Sequence, residues 1–95
     1  MPEHAYRWSL EKNLWLQKER DLSFEAIESA IEDGNLLDDV PHPDSIKFPG
    51  QRMLIVNVGE QVCVVPYVID GGIRFLKTIY PSRKAKRAYV GVSKP

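Results

Sequence analysis

The stretch from Gln51 to Tyr80 leaves a folding chain few choices. Three strand-like runs, Gln51 to Val58, Gln61 to Ile69 and Ile73 to Tyr80, are separated only by the turn signals Gly59-Glu60 and Asp70-Gly71-Gly72. Connections this short join antiparallel neighbours, because a parallel return needs a crossover of a dozen residues or more. The spacing therefore predicts an antiparallel meander. In its first run Leu54, Val56 and Val58 alternate with Arg52 and Asn57, while Met53 and Ile55 make the second face partly apolar. The middle run is nearly all apolar, as expected of a central strand covered on both faces. Pro66 inside it conflicts with regular pairing, since proline has no N–H to give, and is expected to mark a bulge. Cys63 in the same run reads as a small buried hydrophobe rather than a reactive thiol.

Helical periodicity precedes the meander. Ser9 is placed to cap a helix reaching about Arg20, with Leu10, Leu14, Trp15 and Leu16 as its apolar residues and Trp8 as a staple before the cap. Trp8 and Trp15 are expected in the core, since aromatics at helical spacing mostly bury area. Ser23 then caps a second helix with Phe24, Ile27 and Ile31 at i, i+3 and i+7, Glu25, Glu28 and Glu32 on a flanking face, and Gly34 as a left-handed C-cap. The three residues between the helices suggest an N-terminal helix hairpin with an acidic edge. Asn35 to Val40 reads as a short edge strand and the proline-rich Pro41 to Gly50 as a loop. After the third run, Ser82 caps a short basic helix that Gly91 ends. The expectation is a single α+β domain over residues 1–95: a helix hairpin packed on a three- to four-stranded, mainly antiparallel sheet, with a short basic C-terminal helix.

The neutral total charge hides two opposite halves. Residues 1–46 hold 4 Lys+Arg against 11 Asp+Glu, a balance of −7, and residues 47–95 hold 9 against 2, a balance of +7. A cationic segment interleaved with tyrosine and phenylalanine suits a phosphate backbone with bases to stack on, so RNA is the first partner to consider. No apolar run approaches the roughly 18 residues of a membrane span, so no membrane partner is expected. Met1-Pro2-Glu3-His4 lacks the basic start and apolar run of a secretory signal, and a lone cysteine allows no internal disulfide; both fit the cytoplasm. Two histidines and one cysteine offer no metal-ligand spacing, and no cofactor is expected.

The residues suited to chemistry gather where the third run meets the basic helix. Pro81 fixes a sharp exit, Ser82 caps, and Arg83 and Lys84 lie in the first turn, with Lys77 and Tyr80 just before. A phosphate there meets amides, a guanidinium and ammonium groups. Lys77 and Tyr80 are three apart and point to opposite faces of a regular strand, so they share a site only if the strand end twists. The alternative is a solvated basic helix with Tyr80 and Tyr89 half-buried. His42, between Pro41 and Pro43, is either a general acid or base or simply an exposed loop residue. Arg52 is an isolated cation that either faces the same sheet surface or is solvated at the strand edge.

The order of these elements resembles the BrnT family of ribonuclease toxins, of the RelE/ParE superfamily, from bacterial type II toxin–antitoxin pairs. The likeness is carried by Tyr6-Arg7-Trp8-Ser9, by Lys12-Asn13, by Ser23-Phe24-Glu25-Ala26 opening the second helix, and by Ser82-Arg83-Lys84-Ala85 followed by Lys86-Arg87-Ala88-Tyr89. It runs through most of the chain. The resemblance implies a RelE-like fold and metal-free cleavage of RNA, on the ribosome or free. It also implies neutralisation by a cognate antitoxin, through which any contact with DNA would be indirect. Such cleavage needs a base to activate the RNA 2′-OH, cations for the non-bridging oxygens and an acid for the leaving oxygen. The candidate catalytic residues are Lys77, Tyr80 and Arg83. RNA-binding candidates are Arg52, Lys84, Lys86, Arg87 and Tyr89, with His42 as a further acid or base. A non-catalytic module binding RNA or protein through the same face is the alternative, and a structural domain docking through its acidic helices is a third.

Overall fold

A computed structural model describes residues 5–91. Their elements run β1 (Tyr6–Trp8), α1 (Leu10–Arg20), α2 (Phe24–Glu32), β2 (Leu36–Pro41), β3 (Arg52–Val58), β4 (Gln61–Asp70), β5 (Ile73–Leu76), β6 (Tyr80–Pro81) and α3 (Arg83–Tyr89). The opening Met1 to His4, read above for a leader, lies outside the described residues. The fold is α+β, and the meander forms where the turn signals put it. Asp70 pairs with Ile73 across Gly71 and Gly72, whose φ values of 60° and 82° fit a two-residue turn that other residues adopt only with strain.

The sheet corrects the expected one. It has six strands rather than three or four and is mixed, in the order β1-β5-β4-β3-β2, with β6 also paired to β4. The added strand β1 lies parallel to β5, with Tyr6, Arg7 and Trp8 opposite Arg74, Phe75 and Leu76. Three residues are too few for alternation to announce a strand. What holds them is tertiary: the open edge of β5, and the Trp8 ring stacked on Phe24 at 5.4 Å. Trp8 is thus a strand residue packed on the core, not a helix staple.

The N-terminal helix hairpin does not form. Both caps are as expected, Ser9 accepting from the Lys12 amide and Ser23 from that of Ala26. The linker, however, turns back along α1. Asp21 takes a left-handed conformation (φ 56°), and the Leu22 amide donates to the Leu16 carbonyl. Asn13 is buried in the middle of α1 and holds the start of α2: its Oδ1 accepts from the Phe24 amide at 2.8 Å, and its Nδ2 donates to Glu25 Oε1 at 2.8 Å. An antiparallel partner would begin beside the end of α1 instead. α2 packs on β3, and α1 buries only Asn13 and Leu16, leaving Leu10 (71% exposed), Leu14 (56%) and Trp15 (42%) at the surface. The Trp15 ring is flanked there by the Lys12 ammonium at 4.5 Å and the Arg20 guanidinium at 5.0 Å. The expectation of Trp15 in the core is therefore also corrected.

The sheet has one helical layer on each face. On one, Leu16, Phe24, Ile27 and Ala30 pack with Leu54, Val56, Cys63, Val65, Tyr67, Leu76 and Ile79. On the other, α3 sets Ala85 against Ile55, Val62 and Val64. Charge follows this division. From Leu10 to Glu32 there are three Lys+Arg and six Asp+Glu, whereas α3 carries four cations and no acid.

Pro66 has an effect beyond β4. Its register with β3 is unbroken, opposite Met53, so the bulge is not on that side. Its carbonyl accepts from the Lys77 amide at 2.8 Å, so the edge that lacks an N–H faces the chain after β5. There the ladder breaks. Tyr67 pairs with Leu76, but Val64 pairs with Tyr80, so two residues of β4, Val65 and Pro66, lie opposite three, Lys77, Thr78 and Ile79. The expected continuous strand Ile73 to Tyr80 is thus divided into β5 and β6 by a bulge at Lys77-Thr78-Ile79. One extra residue reverses which side chains face which way. Leu76 and Ile79 both enter the α2-side core. Lys77 and Tyr80 come to the same face, the one that bears α3.

Candidate nucleic-acid interface

The basic helix is built from its cap outward. Ser82 Oγ accepts from the Ala85 amide at 3.0 Å, and the Ser82 amide donates to the Val62 carbonyl at 2.9 Å, which ties the helix start to β4. Ala85 is the buried contact, small enough to bring the helix close to the sheet. Arg83, Lys84, Lys86 and Arg87 are all exposed. Among the described residues the only ion pairs join Asp39 to Arg52 and Arg74, so none of the α3 cations is neutralised by a carboxylate.

Between α3 and the loop after β2 lies a groove of about 320 Å³ that brings four candidates together: His42, Tyr80, Lys84 and Tyr89. Its floor is apolar, from Met53, Ile55 and Val64. The Tyr89 hydroxyl donates to Asp38 Oδ2 at 2.7 Å, pinning the end of α3 to β2. That bond is the main cause holding the Asp38 carboxyl below its usual range, helped by the Asp39 amide, and it pushes the Tyr89 phenol up. Tyr89 therefore offers its ring rather than a proton. His42 Nδ1 accepts from the Asp44 amide at 3.0 Å, and its ring lies 4.5 Å from that of Phe48. With Nδ1 as acceptor, a neutral ring carries its proton on Nε2 and is a hydrogen-bond donor there.

The other candidates divide. Arg83 and Lys86 line a separate hollow of about 340 Å³ with Glu60, Gln61, Val62, Pro81 and Ser82. Lys86 Nζ donates to the Glu60 carbonyl at 3.0 Å. Lys77 is exposed on the α3 face with its ammonium 5.6 Å from the Phe75 ring. It does not line the groove, so Lys77, Tyr80 and Arg83 do not converge on one point. Arg87 is exposed on α3 away from both hollows. Arg52 is on the opposite face: it is in register with Tyr67, its Nε donates to Asp39 Oδ1 at 3.1 Å, and its Nη2 donates to the Asp39 carbonyl at 3.0 Å. It does not share a surface with the basic helix.

Asp39 collects more than Arg52. The Tyr67 hydroxyl lies 2.7 and 2.8 Å from its two oxygens, and Arg74 Nη2 is 3.6 Å away. Burial is the largest cause pushing the Tyr67 phenol up, followed by its bond to Asp39. This network and the Asn13 clamp escape sequence reading, because both join residues far apart in the chain. The Asp38-Asp39 pair in an edge strand, where charges pointing inward usually guard the edge, was the available signal. A further long-range tie, Arg20 Nη1 to the Ile79 carbonyl at 2.7 Å, anchors the bulge from the opposite face.

Among the described residues no three His, Cys, Asp or Glu side chains gather as a metal site, and no helix is long and apolar enough to cross a membrane. Compared with known proteins, the chain matches no family model, no curated protein and no solved structure.

Proposed function

We propose that this chain binds RNA on its α3 face and cleaves it at the groove between α3 and His42, as a toxin of the BrnT kind would. The observation that carries the reading is the meeting of Tyr80, Lys84, Tyr89 and His42 on one groove beside a run of unneutralised cations. In this reading Lys84 holds a phosphate oxygen and the Tyr89 ring supports a base. The 2′-OH attacks phosphorus as the bond to the 5′ oxygen breaks, its proton passing to solvent while the 5′ oxygen takes one from His42 Nε2. Tyr80 is the remaining hydroxyl in reach. The reaction runs without metal, in the cytoplasm, and a cognate antitoxin covers the face to silence it.

A specific observation favours a second reading, a non-catalytic module that binds RNA or protein on the same face. Tyr89 and His42 Nδ1 are already engaged, by Asp38 and Asp44, which leaves the groove few groups for moving protons. Cleavage of a single-stranded RNA by the purified chain in EDTA separates the two. The first reading expects cleavage, reduced about 100- to 1000-fold by Lys84→Ala if that ammonium stabilises the developing charge. It also expects growth arrest when the chain is expressed alone. RNA binding with no cleavage and no arrest leaves the second.

A further inference from the structure

α3 covers only part of its face of the sheet. The rest is formed by β1, β5 and the far half of β4, where Arg7, Phe75 and Val68 lie in register across three adjacent strands. Trp8 and Leu76, their neighbours in sequence, pack into the core on the other side, which fixes Arg7 and Phe75 on the α3 face. Arg7 is exposed and Phe75 half-buried. Among the described residues no helix packs over this row. The bulge after β5 extends it by turning Lys77 and Tyr80 the same way, and Lys84 follows at the groove. Arg7, Lys77 and Lys84 are outside the two ion pairs of the described residues.

We infer that this row is a single-strand track: Phe75 and Tyr80 stack bases, and Arg7, Lys77 and Lys84 hold the phosphates between them. The inference rests on the RNA reading above and extends it along the sheet, to residues that the basic helix alone does not bring in. Three arguments select the occupant. Among the described residues no carboxylate pairs with these cations, and Asp70, two residues beyond Val68, stands at the far end of the row, which fits a polyanion lying from Arg7 toward Lys84. Aromatic rings alternate with the cations on the open sheet, Phe75 half-buried beside the Lys77 ammonium and Tyr80 exposed, and rings on a sheet surface stack unpaired bases. A duplex keeps its bases stacked inside and has no use for such rings. The track leads into the groove, so a strand lying on it is delivered to Tyr80.

The test uses 2′-O-methyl RNA, which lacks the free 2′-OH that attack requires, so binding is read without cleavage. Fluorescence anisotropy with a labelled strand of about 12 nucleotides, and with the duplex of the same sequence, is measured at low salt for the parent, Phe75→Leu and Arg7→Ala. Phe75→Leu keeps an apolar side chain and removes the ring, and thermal melting confirms that each variant is folded. The track expects a single-strand preference in the parent, binding about 10-fold weaker for Phe75→Leu, and a salt slope reduced by about one for Arg7→Ala. If the parent binds the single strand and both folded variants match it, the track is wrong while RNA binding at α3 stands. Equal or tighter binding of the duplex also overturns it. A parent that binds neither form overturns the RNA reading itself, and the track with it.

Discussion

Asn13 concentrates much of the N-terminal architecture in one amide. It is a buried polar side chain that satisfies both of its functions, accepting from the Phe24 amide and donating to Glu25. Replacement by Ala leaves a buried N–H without a partner, and stability is expected to fall by about 1–3 kcal/mol in urea denaturation. Asn13→Asp is the sharper test. It keeps an acceptor for Phe24 but sets a second carboxylate against Glu25, so the loss is expected to be larger at pH 7 and to shrink as pH falls and one carboxylate takes a proton. Cys63 gives a second prediction. Burial pushes its thiol up to about 11, so the folded protein keeps it protonated at neutral pH. A thiol reagent at pH 8 is expected to label it only as fast as the chain opens. Because the folded value is raised, its contribution to stability is complete below the ordinary value near 9 and is lost as pH rises through about 11. Denaturation midpoints should therefore decline over that window, less steeply in Cys63→Ala. The burial of Cys63 was legible in its apolar run. The role of Asn13 was not, since nothing local distinguishes a clamped asparagine from a solvated one.

Among the elements, those fixed by local chemistry were legible and those fixed by distant partners were not. The serine caps and the Gly59-Glu60 and Gly71-Gly72 turns depend on residues within a few positions, and they appear where the sequence places them. α1 inverts its reading because periodicity marks a stripe without saying whether anything covers it. Leu16 enters the core, while Leu10, Leu14 and Trp15 stay outside. The contrast is measurable: Leu16→Ala is expected to cost about 2–5 kcal/mol, and Leu14→Ala to stay within about 0.5 kcal/mol. Equal costs would restore the apolar stripe as a core face. The candidate site was half legible on the same terms. Its basic helix could be read from composition, but the meeting of His42 with Tyr80 and Tyr89 comes from sheet register: the His42 amide donates to the Gln51 carbonyl and carries the β2–β3 pairing past Pro41, which puts His42 on the same side as Val40. The face of Arg52 was left open because alternation gives two faces and no means of telling which one receives α3.

For the whole molecule, a net charge of zero is a poor guide to behaviour. The helices on one face carry an acidic excess and the helix on the other is wholly basic, so two copies attract most strongly face to back. Such contacts are heterologous and need not close into a defined oligomer. Light scattering near pH 7 is expected to show association at low ionic strength that disappears as salt is added, since surface attraction falls off within about 8 Å at physiological salt. Scattering that grows with salt would point instead to the exposed Leu10, Leu14 and Trp15.

The bulge at Lys77-Thr78-Ile79 also bears on how this protein can change over generations. Exposed cations of the α3 face such as Lys84 and Arg87 can be substituted singly and leave the core in place. Loss of one codon in this segment, Thr78 for instance, would make the strand regular and leave Lys77 and Tyr80, then two apart, still on one face opposite Pro66 and Val64. Gain of a second codon, unless a wider bulge absorbed it, would turn Tyr80 to the other face. The interval is thus expected to tolerate the loss of a residue better than the gain of one, and the length of this short segment, more than its spelling, decides which way Tyr80 looks.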